Sequence, residues 1–295
     1  MSTEDISPRY LELDAWPTAE QVRALYEGQL SAVAALGAAL PSISLVVDRA
    51  VERLRRDGRI IYAGAGTSAR IGVQDGAELL PTFNWPSERI AFAIAGGEGA
   101  LLRAVENAED SGADGASRIG ALGVGPDDVV IGVAASGATL FTVSVLEAAR
   151  TRGALTVGIA SNPGSRLLAV CDQPVLIETG EEPIAGSTRL KAGTAQKVAL
   201  NLISTTVMIQ LGHVYRGMMV DMRPTNEKLR KRSVEMVIQI AGCTPEAAGK
   251  ALAVSGGNIK TAVLVAHGID LDTAVSLMSK HDGNLRAALD AIKAG

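Results

Sequence analysis

The chain contains few of the residues that mark several kinds of functional site. Only 3% of its 295 residues are aromatic, and its net charge is −4. Nucleic-acid partners require a basic surface, and single strands also use aromatic side chains for stacking, so the composition argues against such a partner. The two cysteines, Cys171 and Cys243, and the three histidines lack the spacing of metal ligands. Neither a metal site nor a disulfide framework is therefore predicted.

Long apolar segments are also missing. No run of 18 apolar residues occurs, and the N-terminus lacks the charged-then-apolar pattern of a secretory signal. These features predict a cytoplasmic protein without a membrane partner. The apolar share is nevertheless 47%, which is enough for a large core and favours one main domain with a smaller one.

The N-terminal 58 residues predict two helices. Residues 1–17 are polar and are expected to be extended. A helix is predicted from Thr18, with Thr18 as the cap and Gln21 completing the capping box. The sequence Pro41-Ser42 then predicts the start of a second helix, which Gly58 closes.

Short runs of Val, Ile and Ala alternate with helical patterns in the middle of the chain. They predict strands near residues 59–63, 89–95, 128–134, 155–160 and 174–178. Such alternation predicts an α/β fold, a doubly wound parallel sheet with helices on both faces.

The C-terminal part is predicted to be helical. A long helix is expected over about 190–213, Pro224 marks a break, and no strand pattern occurs after about residue 220. A helix begins at NEKLRKR, and three short helices follow it, separated by Gly, Asn and Asp turns. The predicted domains are an N-terminal helical segment over 1–49, a domain over 50–220 that contains the parallel sheet, and a small helical domain over 221–295.

Three loops have the residue types of a phosphate site. The first follows the first predicted strand, because GAGTS at 64–68 joins that strand to a helix. Backbone N–H groups and the positive end of a helix dipole bind phosphate at such turns. Ligands of open parallel sheets bind beyond the carboxyl ends of the strands, so the three loops are expected to meet. The candidate binding residues are Gly66, Thr67 and Ser68, then Ser136, Gly137 and Thr139, then Ser187, Thr188 and Lys191.

A dinucleotide site is the alternative interpretation of the first loop. Residues 64–69 fit G-x-G-x-x-A, but that fingerprint also requires an acidic residue at the end of the next strand. Here the next strand ends in Ala95-Gly96-Gly97, and Glu98 comes late. A dinucleotide is disfavoured, and no cofactor is predicted.

Six stretches together resemble one enzyme family, the N-acetylmuramic acid 6-phosphate etherases, which are sugar isomerase (SIS) domain proteins related to the glucokinase regulatory protein. The resemblance extends from about residue 10 to the C-terminus. The stretches are GAGTSARIGVQDGAELLPTF, IAGGEGALLRAVENAEDS, AASGATLFTVSVLEAAR, GIASNPGS, GSTRLKAGTAQKVALNLIST and MVDMRPTNEKLRKR.

This resemblance implies cleavage of the D-lactyl ether of N-acetylmuramic acid 6-phosphate by elimination and then hydration, in peptidoglycan recycling. It implies a homodimer and makes Glu78 the proton donor and Glu109 the second catalytic carboxylate. Ten helical residues separate Ser68 from Glu78, about 15 Å along a straight helix. Either the helix is interrupted near Gly76, or Glu78 serves a site shared with a second subunit.

The chain departs from the family pattern at several positions near the predicted site. These are Ala69, Ala77, Leu79, Leu80 and Ala138, and they bear on substrate preference and rate more than on fold. The tail resembles a ubiquitin-associated module. A sugar-phosphate sensor without turnover and an aldose–ketose phosphate isomerase remain the alternatives to an etherase.

Overall fold

The computed structural model of this chain describes residues 2–103, 105–222, 224 and 226–294. They form two compact units, of which the first comprises Met1–Ala77 and Ser87–Ser204 and the second Glu78–Pro86 and Thr205–Gly295. The second unit includes a segment from the middle of the chain, and its main part begins before residue 221. The division into 1–49, 50–220 and 221–295 stays a prediction.

A five-stranded parallel sheet forms the centre of the first unit. Its strands are β1 Ile60–Gly64, β2 Ile90–Ile94, β3 Val129–Val133, β4 Leu155–Ala160 and β5 Gln173–Leu176. Their order is β2-β1-β3-β4-β5, and every residue of β1, β3 and β4 is buried. Continuous apolar strands of this kind are covered on both faces. The predicted parallel sheet is confirmed.

Helices cover both faces of this sheet. The helices of the first unit are α1 Thr18–Leu54, α2 Gly66–Ala77, α4 Gly112–Ala121, α5 Leu140–Thr151, α6 Arg166–Val170 and the first part of α7 Lys191–Gln210, whereas α3 Leu79–Phe83 belongs to the second unit. Successive side chains of a strand point to opposite faces. Ile61 of β1 belongs to the same core cluster as Phe141 of α5, whereas Tyr62 lies against Gly72 of α2. The sheet is doubly wound, as predicted.

The register brings the ends of the central strands level with one another. Gly64, the last residue of β1, pairs with Ile94 of β2 and with Val133 of β3. Val133 in turn pairs with Ile159 of β4. The loops after these strands therefore leave the sheet at one edge, where a ligand site is expected.

The N-terminal helix differs from its prediction. Helix α1 continues through Pro41, so the predicted break is wrong. A proline inside a helix costs about 3 kcal/mol, but α1 buries an apolar face on both sides of Pro41 and packs on β3, β4 and β5. This packing outweighs the local cost.

The start of α1 also differs. Pro17 holds the cap position, and Gln21 Nε2 donates to the carbonyl oxygen of Leu13 at 2.9 Å instead of completing a capping box. Before it, the chain forms two short 3₁₀ helices, Pro8–Tyr10 and Leu13–Ala15. The expectation of an extended segment is wrong there.

The second unit is mainly helical. Its C-terminal helices are α8 Glu227–Ala241, α9 Pro245–Val254, α10 Ile259–Ala266, α11 Leu271–Lys280 and α12 Leu285–Ala294. Asn226, Thr244, Asn258 and Asp270 cap the first four of these through their side chains. The helical tail is confirmed, with four short helices after α8 where three were predicted. A small antiparallel hairpin, β6 Val214–Tyr215 with β7 Met218–Met219, was not predicted.

Candidate active site

A cavity of about 430 Å³ lies at the carboxyl edge of the sheet, within the first unit. The loops after β1 and β3, a short helix at 108–110 and the loop before α7 contribute to it. Seven of the predicted site residues line it: Gly66, Thr67, Ser68, Glu109, Ser136, Thr139 and Thr188. The cavity is thus rich in hydroxyl groups, with carboxylates at its rim.

The first loop has the geometry of an anion site. Strand β1 ends at Gly64, and α2 begins two residues later at Gly66. Gly66 has φ +53°, a conformation that glycine adopts with little strain. The first backbone N–H groups of α2, including those of Thr67 and Ser68, have no acceptor within the helix. They lie at the positive end of its dipole, where an oxyanion is stabilised.

The second loop is shaped by Gly137. Its φ is +67°, and a Cβ there would lie 2.2 Å from Ser165 Oγ, so only glycine fits. The backbone N–H of Ala138 donates to Ser136 Oγ at 3.2 Å, which fixes the turn. Thr139 precedes α5 but makes no side-chain capping bond. Its hydroxyl therefore remains available to the cavity that it lines, while Gly137 sets the shape of the loop without lining the cavity.

In the third loop, Thr188 lines the cavity but Ser187 and Lys191 do not. Lys191 is 9% exposed, and its Nζ donates to the carbonyl oxygen of Glu181 at 2.8 Å. The backbone N–H groups of Lys191 and Ala192 donate to the Glu182 carboxylate at 2.9 Å each. Lys191 is thus part of the buried start of α7, and the prediction that it meets the phosphate loops does not agree with its position.

Burial changes the proton affinity of both charged groups at the start of α7. It lowers the pKa of Lys191, although the nearby Glu182 carboxylate counteracts part of this effect. Burial also raises the pKa of Glu182, and the two backbone N–H donors partly offset that change. A lowered lysine pKa and a raised glutamate pKa are the shifts expected for two groups removed from water, as in a structural pair.

The two candidate catalytic glutamates belong to different units. Glu109 lies in the 3₁₀ helix Ala108–Asp110, is exposed and lines the cavity. It also lines a neighbouring cavity of about 350 Å³, together with Arg70 and the first loop. Glu78 belongs to the second unit and is exposed, directly after the last residue of α2. Helix α2 is continuous through Gly76 and ends at Ala77, so Glu78 follows its last residue.

A buried carboxylate near the end of α2 was not singled out from the sequence. Asp75 is 7% exposed, and its oxygens accept hydrogen bonds from Tyr62 Oη at 2.8 Å, Asn201 Nδ2 at 3.0 Å and Ser204 Oγ at 3.2 Å. These bonds connect α2 to β1 and α7. Burial, with the adjacent Asp75 carboxylate, raises the pKa of Tyr62 well above its ordinary value.

Comparison with known proteins gives the family. Residues 42–150 match the model of the glucokinase regulatory protein N-terminal SIS domain, and residues 107–206 match the SIS domain model. The chain is 47% identical to the N-acetylmuramic acid 6-phosphate etherase of Deinococcus radiodurans, over 97% of this chain and 94% of that protein. The chain belongs to the N-acetylmuramic acid 6-phosphate etherase family.

A second etherase and a solved structure are also similar to this chain. The N-acetylmuramic acid 6-phosphate etherase of Streptomyces avermitilis is 44% identical over 99% of this chain and 94% of its own length. Among solved structures, a phosphoheptose isomerase from Francisella tularensis is similar, with a TM-score of 0.50 and 18% identity. That match covers 66% of this chain and all of the isomerase, and it shows the fold alone.

Several residues at the cavity of this etherase-family chain were missed by sequence reasoning. Glu4 and Asp110 line it, and Gln196 accepts a hydrogen bond from Ser68 Oγ at 3.0 Å. Asp110 adjoins a predicted site residue, and Gln196 lies within the GTAQK stretch, so the sequence contained some indication that both lie near the site. The sequence contained no such indication for Glu4, because the loops that it approaches are more than 60 residues away in the chain.

Proposed function

We propose that this protein cleaves the D-lactyl ether of N-acetylmuramic acid 6-phosphate, releasing D-lactate and N-acetylglucosamine 6-phosphate. The observation that carries the proposal is one cavity that combines the hydroxyls of three loops, the start of α2 and the Glu109 carboxylate. High identity to etherases over nearly the whole chain supports the same conclusion. The reaction belongs to peptidoglycan recycling in the cytoplasm and needs no cofactor.

The 6-phosphate is bound by the first two loops in this proposal. The N–H groups at the start of α2 and the hydroxyls of Thr67, Ser136 and Thr139 face one cavity, and all of these donors are neutral. Hydrogen bonds from neutral donors to a charged oxygen are stronger than those between neutral groups. Ala138 adds no charge to the second loop, so in this proposal backbone and hydroxyl donors bind the phosphate there.

Gln196 sets the direction of the Ser68 hydroxyl. Ser68 Oγ donates to Gln196 Oε1, while Gln196 Nε2 is buried and has no hydrogen-bond partner among the described residues. A half-turn of the amide exchanges its two ends. Nε2 then donates to Ser68 Oγ, and the Ser68 proton becomes available to a phosphate oxygen. In this arrangement the Ser68 hydroxyl accepts from Gln196 Nε2 and donates to the phosphate.

The chemistry is an elimination followed by a hydration. In the open-chain sugar, the hydrogen on C2 is acidic because C2 adjoins an aldehyde. Glu109 removes this proton, the C3–O bond breaks with its electron pair on the lactate oxygen, and Glu78 protonates that oxygen. Water then adds its oxygen to C3 of the unsaturated aldehyde, and C2 regains a proton. General acid and base steps each contribute about 10²–10⁴-fold to a rate.

The protein is proposed to act as a homodimer with the site near the subunit interface. Exposed apolar side chains form a stripe along α1: Val22, Tyr26, Leu30, Val33 and Leu40, each 46–61% exposed. Spacings of three, four and seven residues place them on one helix face. A second copy of this chain would bury the stripe. By length and composition alone α1 could also cross a membrane, but its opposite face packs on the sheet.

The test is incubation of the purified protein with N-acetylmuramic acid 6-phosphate and enzymatic assay of D-lactate. We expect release from this substrate and none from unphosphorylated N-acetylmuramic acid, because the 6-phosphate anchors the sugar. Binding of the sugar phosphate without lactate release would favour the sensor. Conversion of an aldose phosphate to a ketose phosphate, again without lactate release, would favour the isomerase.

A further inference from the structure

The first residues of the chain are fixed at the carboxyl edge of the sheet. Residues 2–5, named here the N-terminal strap, contain the fully buried Thr3. The backbone N–H of Thr3 donates to Asn162 Oδ1 at 3.1 Å, and Asn162 Nδ2 donates to Thr3 Oγ1 at 3.2 Å. The N–H of Gly186 donates to the Thr3 carbonyl oxygen at 3.3 Å. The strap is thereby bonded to the loop after β4 and to the loop before α7.

These anchors place Glu4 at the cavity, which it lines together with Ser68, Glu109 and Thr188. Thr3 Oγ1 donates to Glu4 Oε1 at 3.2 Å, which orients the carboxylate. The other oxygen, Oε2, lies over Gly186, since a Cβ on that glycine would be 3.2 Å from it. Among the described residues no donor binds Oε2. One oxygen of Glu4 is thus held, and the other remains able to accept a hydrogen bond.

The position of this carboxylate limits what it can bind. The charged residues among the described lining are Glu4, Glu109 and Asp110, all of them acidic. A carboxylate repels a phosphate dianion and a lactyl carboxylate, but it is a strong acceptor for hydroxyl and amide N–H donors. A phosphorylated amino sugar carries both kinds of group. Its phosphate suits the donors of the first two loops, and its hydroxyls and acetamido N–H suit Glu4.

We propose that Glu4 accepts a hydrogen bond from a hydroxyl or the acetamido N–H of the bound sugar, and so fixes the sugar ring or chain relative to the phosphate loops. This role deepens the proposed function and rests on it for the identity of the sugar phosphate. Glu4 is a substrate-binding residue here, and Thr3 and Asn162 are positioning residues that act through it. The loss of a hydrogen bond to a charged acceptor typically weakens binding about 10- to 100-fold.

The test is calorimetric titration of the full chain with N-acetylglucosamine 6-phosphate and, separately, with inorganic phosphate. In Glu4→Gln we expect the Kd of the sugar phosphate to rise about 10-fold or more. The Kd of inorganic phosphate should stay the same or fall, because a repelling charge is gone. The matched control is Asp5→Asn, which changes the neighbouring exposed carboxylate of the strap and should leave both Kd values unchanged.

A sugar-phosphate Kd in Glu4→Gln within twofold of the wild-type value would overturn the proposal. An equal rise in the Kd of both ligands would also overturn it, because that result would indicate a structural or general electrostatic role for Glu4. Glu4 is exposed, so the melting temperature of Glu4→Gln should match that of the wild type. Asn162→Ala removes both hydrogen bonds to Thr3 and should weaken binding of the sugar phosphate but not of inorganic phosphate. If Asn162→Ala left the sugar-phosphate Kd unchanged, the proposed role of the strap would be wrong.

The binding assay separates this inference from the proposed function, because it requires no turnover. Wild-type protein that binds N-acetylglucosamine 6-phosphate but releases no D-lactate would contradict the etherase proposal alone. Binding that depends on Glu4 would then still support the role of Glu4. Wild-type protein that binds no sugar phosphate would contradict both.

Discussion

At the scale of single residues, different observations support the two candidate catalytic glutamates. Glu109 lies in a 3₁₀ helix whose preceding residue, Asn107, has φ +58°, and it reaches the cavity within its own unit. Glu78 follows α2 in the other unit. Its role is therefore a proposal that rests on the resemblance of GAELLPTF to the family pattern, and mutation is the direct test of it.

We predict that Glu78→Gln and Glu109→Gln each abolish D-lactate release while leaving inorganic phosphate affinity nearly intact. Glutamine keeps the shape of glutamate but neither donates nor accepts the required proton. The measurements are D-lactate release under saturating substrate and phosphate titration. Glu106→Gln is a control, since Glu106 is an exposed glutamate near Glu109 outside the proposed proton transfers. A wild-type rate in either test variant would refute that residue's assigned role.

A second residue-scale prediction concerns Asp128 at the start of β3. Its carboxylate accepts from the Arg59 backbone N–H at 3.0 Å, from Arg59 Nη2 at 2.7 Å and from Gly125 N–H at 2.9 Å. Burial alone would raise the pKa of Asp128, but these donors outweigh burial and lower it. We expect Asp128→Asn to reduce the free energy of unfolding at pH 7 by about 1–3 kcal/mol.

The pH dependence of this loss has a definite sign. The folded-state pKa of Asp128 is below the unfolded one, so its contribution is complete above the unfolded pKa of about 3.9 and disappears as the pH falls below it. Urea unfolding at pH 7 and pH 3 should therefore show a smaller difference between wild type and variant at pH 3. Asp127→Asn, at a more exposed neighbour, is the control. A difference that does not change with pH would contradict this explanation.

The hydroxyl residues of the cavity could be predicted because a strand followed by a glycine turn places them at one edge of a parallel sheet. Thr67 and Ser136 follow that rule, whereas Thr188 lies in the longer loop between β5 and α7. Lys191 could not be placed in the same way, because its Nζ is bonded to a carbonyl oxygen of its own loop, and a pattern does not show such a bond. The approach of Glu4 depends on Asn162, a contact between distant parts of the chain.

At the scale of helices and strands, predictions from local sequence failed where tertiary packing outweighed the local preference. Pro41-Ser42 was predicted to start a second helix, but the buried face of α1 continues on both sides of Pro41. The hairpin of β6 and β7 has only two residues in each strand, too few for an alternating pattern to be recognised. The strands of the main sheet were predictable because fully buried parallel strands are continuous apolar runs.

The close packing of α4 on α5 gives an element-scale prediction. A Cβ on Gly115 of α4 would lie 2.4 Å from the carbonyl oxygen of Phe141 in α5, so Gly115→Ala must push the helices apart. Overpacking typically costs about 1–3 kcal/mol. Gly120→Ala in the same helix is the control, because its Cβ would meet only Arg152 at 3.5 Å. At Gly120 the higher helix propensity of alanine should raise the free energy of unfolding by up to about 1 kcal/mol.

Thermal or urea unfolding of both variants measures these effects. Gly115→Ala should be less stable than wild type and Gly120→Ala equal or more stable. If the two variants changed stability by the same amount, the helix contact at Gly115 would not be the cause.

At the scale of the whole molecule, the proposed homodimer depends on the apolar stripe of α1. Leu30→Glu places a charge in the middle of that stripe and should convert a dimer into a monomer, because an unpaired charge in an apolar interface is strongly unfavourable. Sedimentation velocity of the purified proteins measures the change. Arg49→Glu, an exposed change on the same helix but on a different face, should remain dimeric. A wild-type monomer, or a dimeric Leu30→Glu variant, would contradict the proposed interface.

The central claim is that a hexose 6-phosphate held at the carboxyl edge of the sheet loses lactate from C3 by elimination and then gains water at the same carbon. The most direct measurement is turnover of N-acetylmuramic acid 6-phosphate in water enriched with ¹⁸O and deuterium, followed by mass spectrometry of both products. We predict ¹⁸O on C3 and deuterium on C2 of N-acetylglucosamine 6-phosphate, with no ¹⁸O in the hydroxyl group of D-lactate. The appearance of ¹⁸O in that hydroxyl group, with C2 unlabelled, would contradict the account.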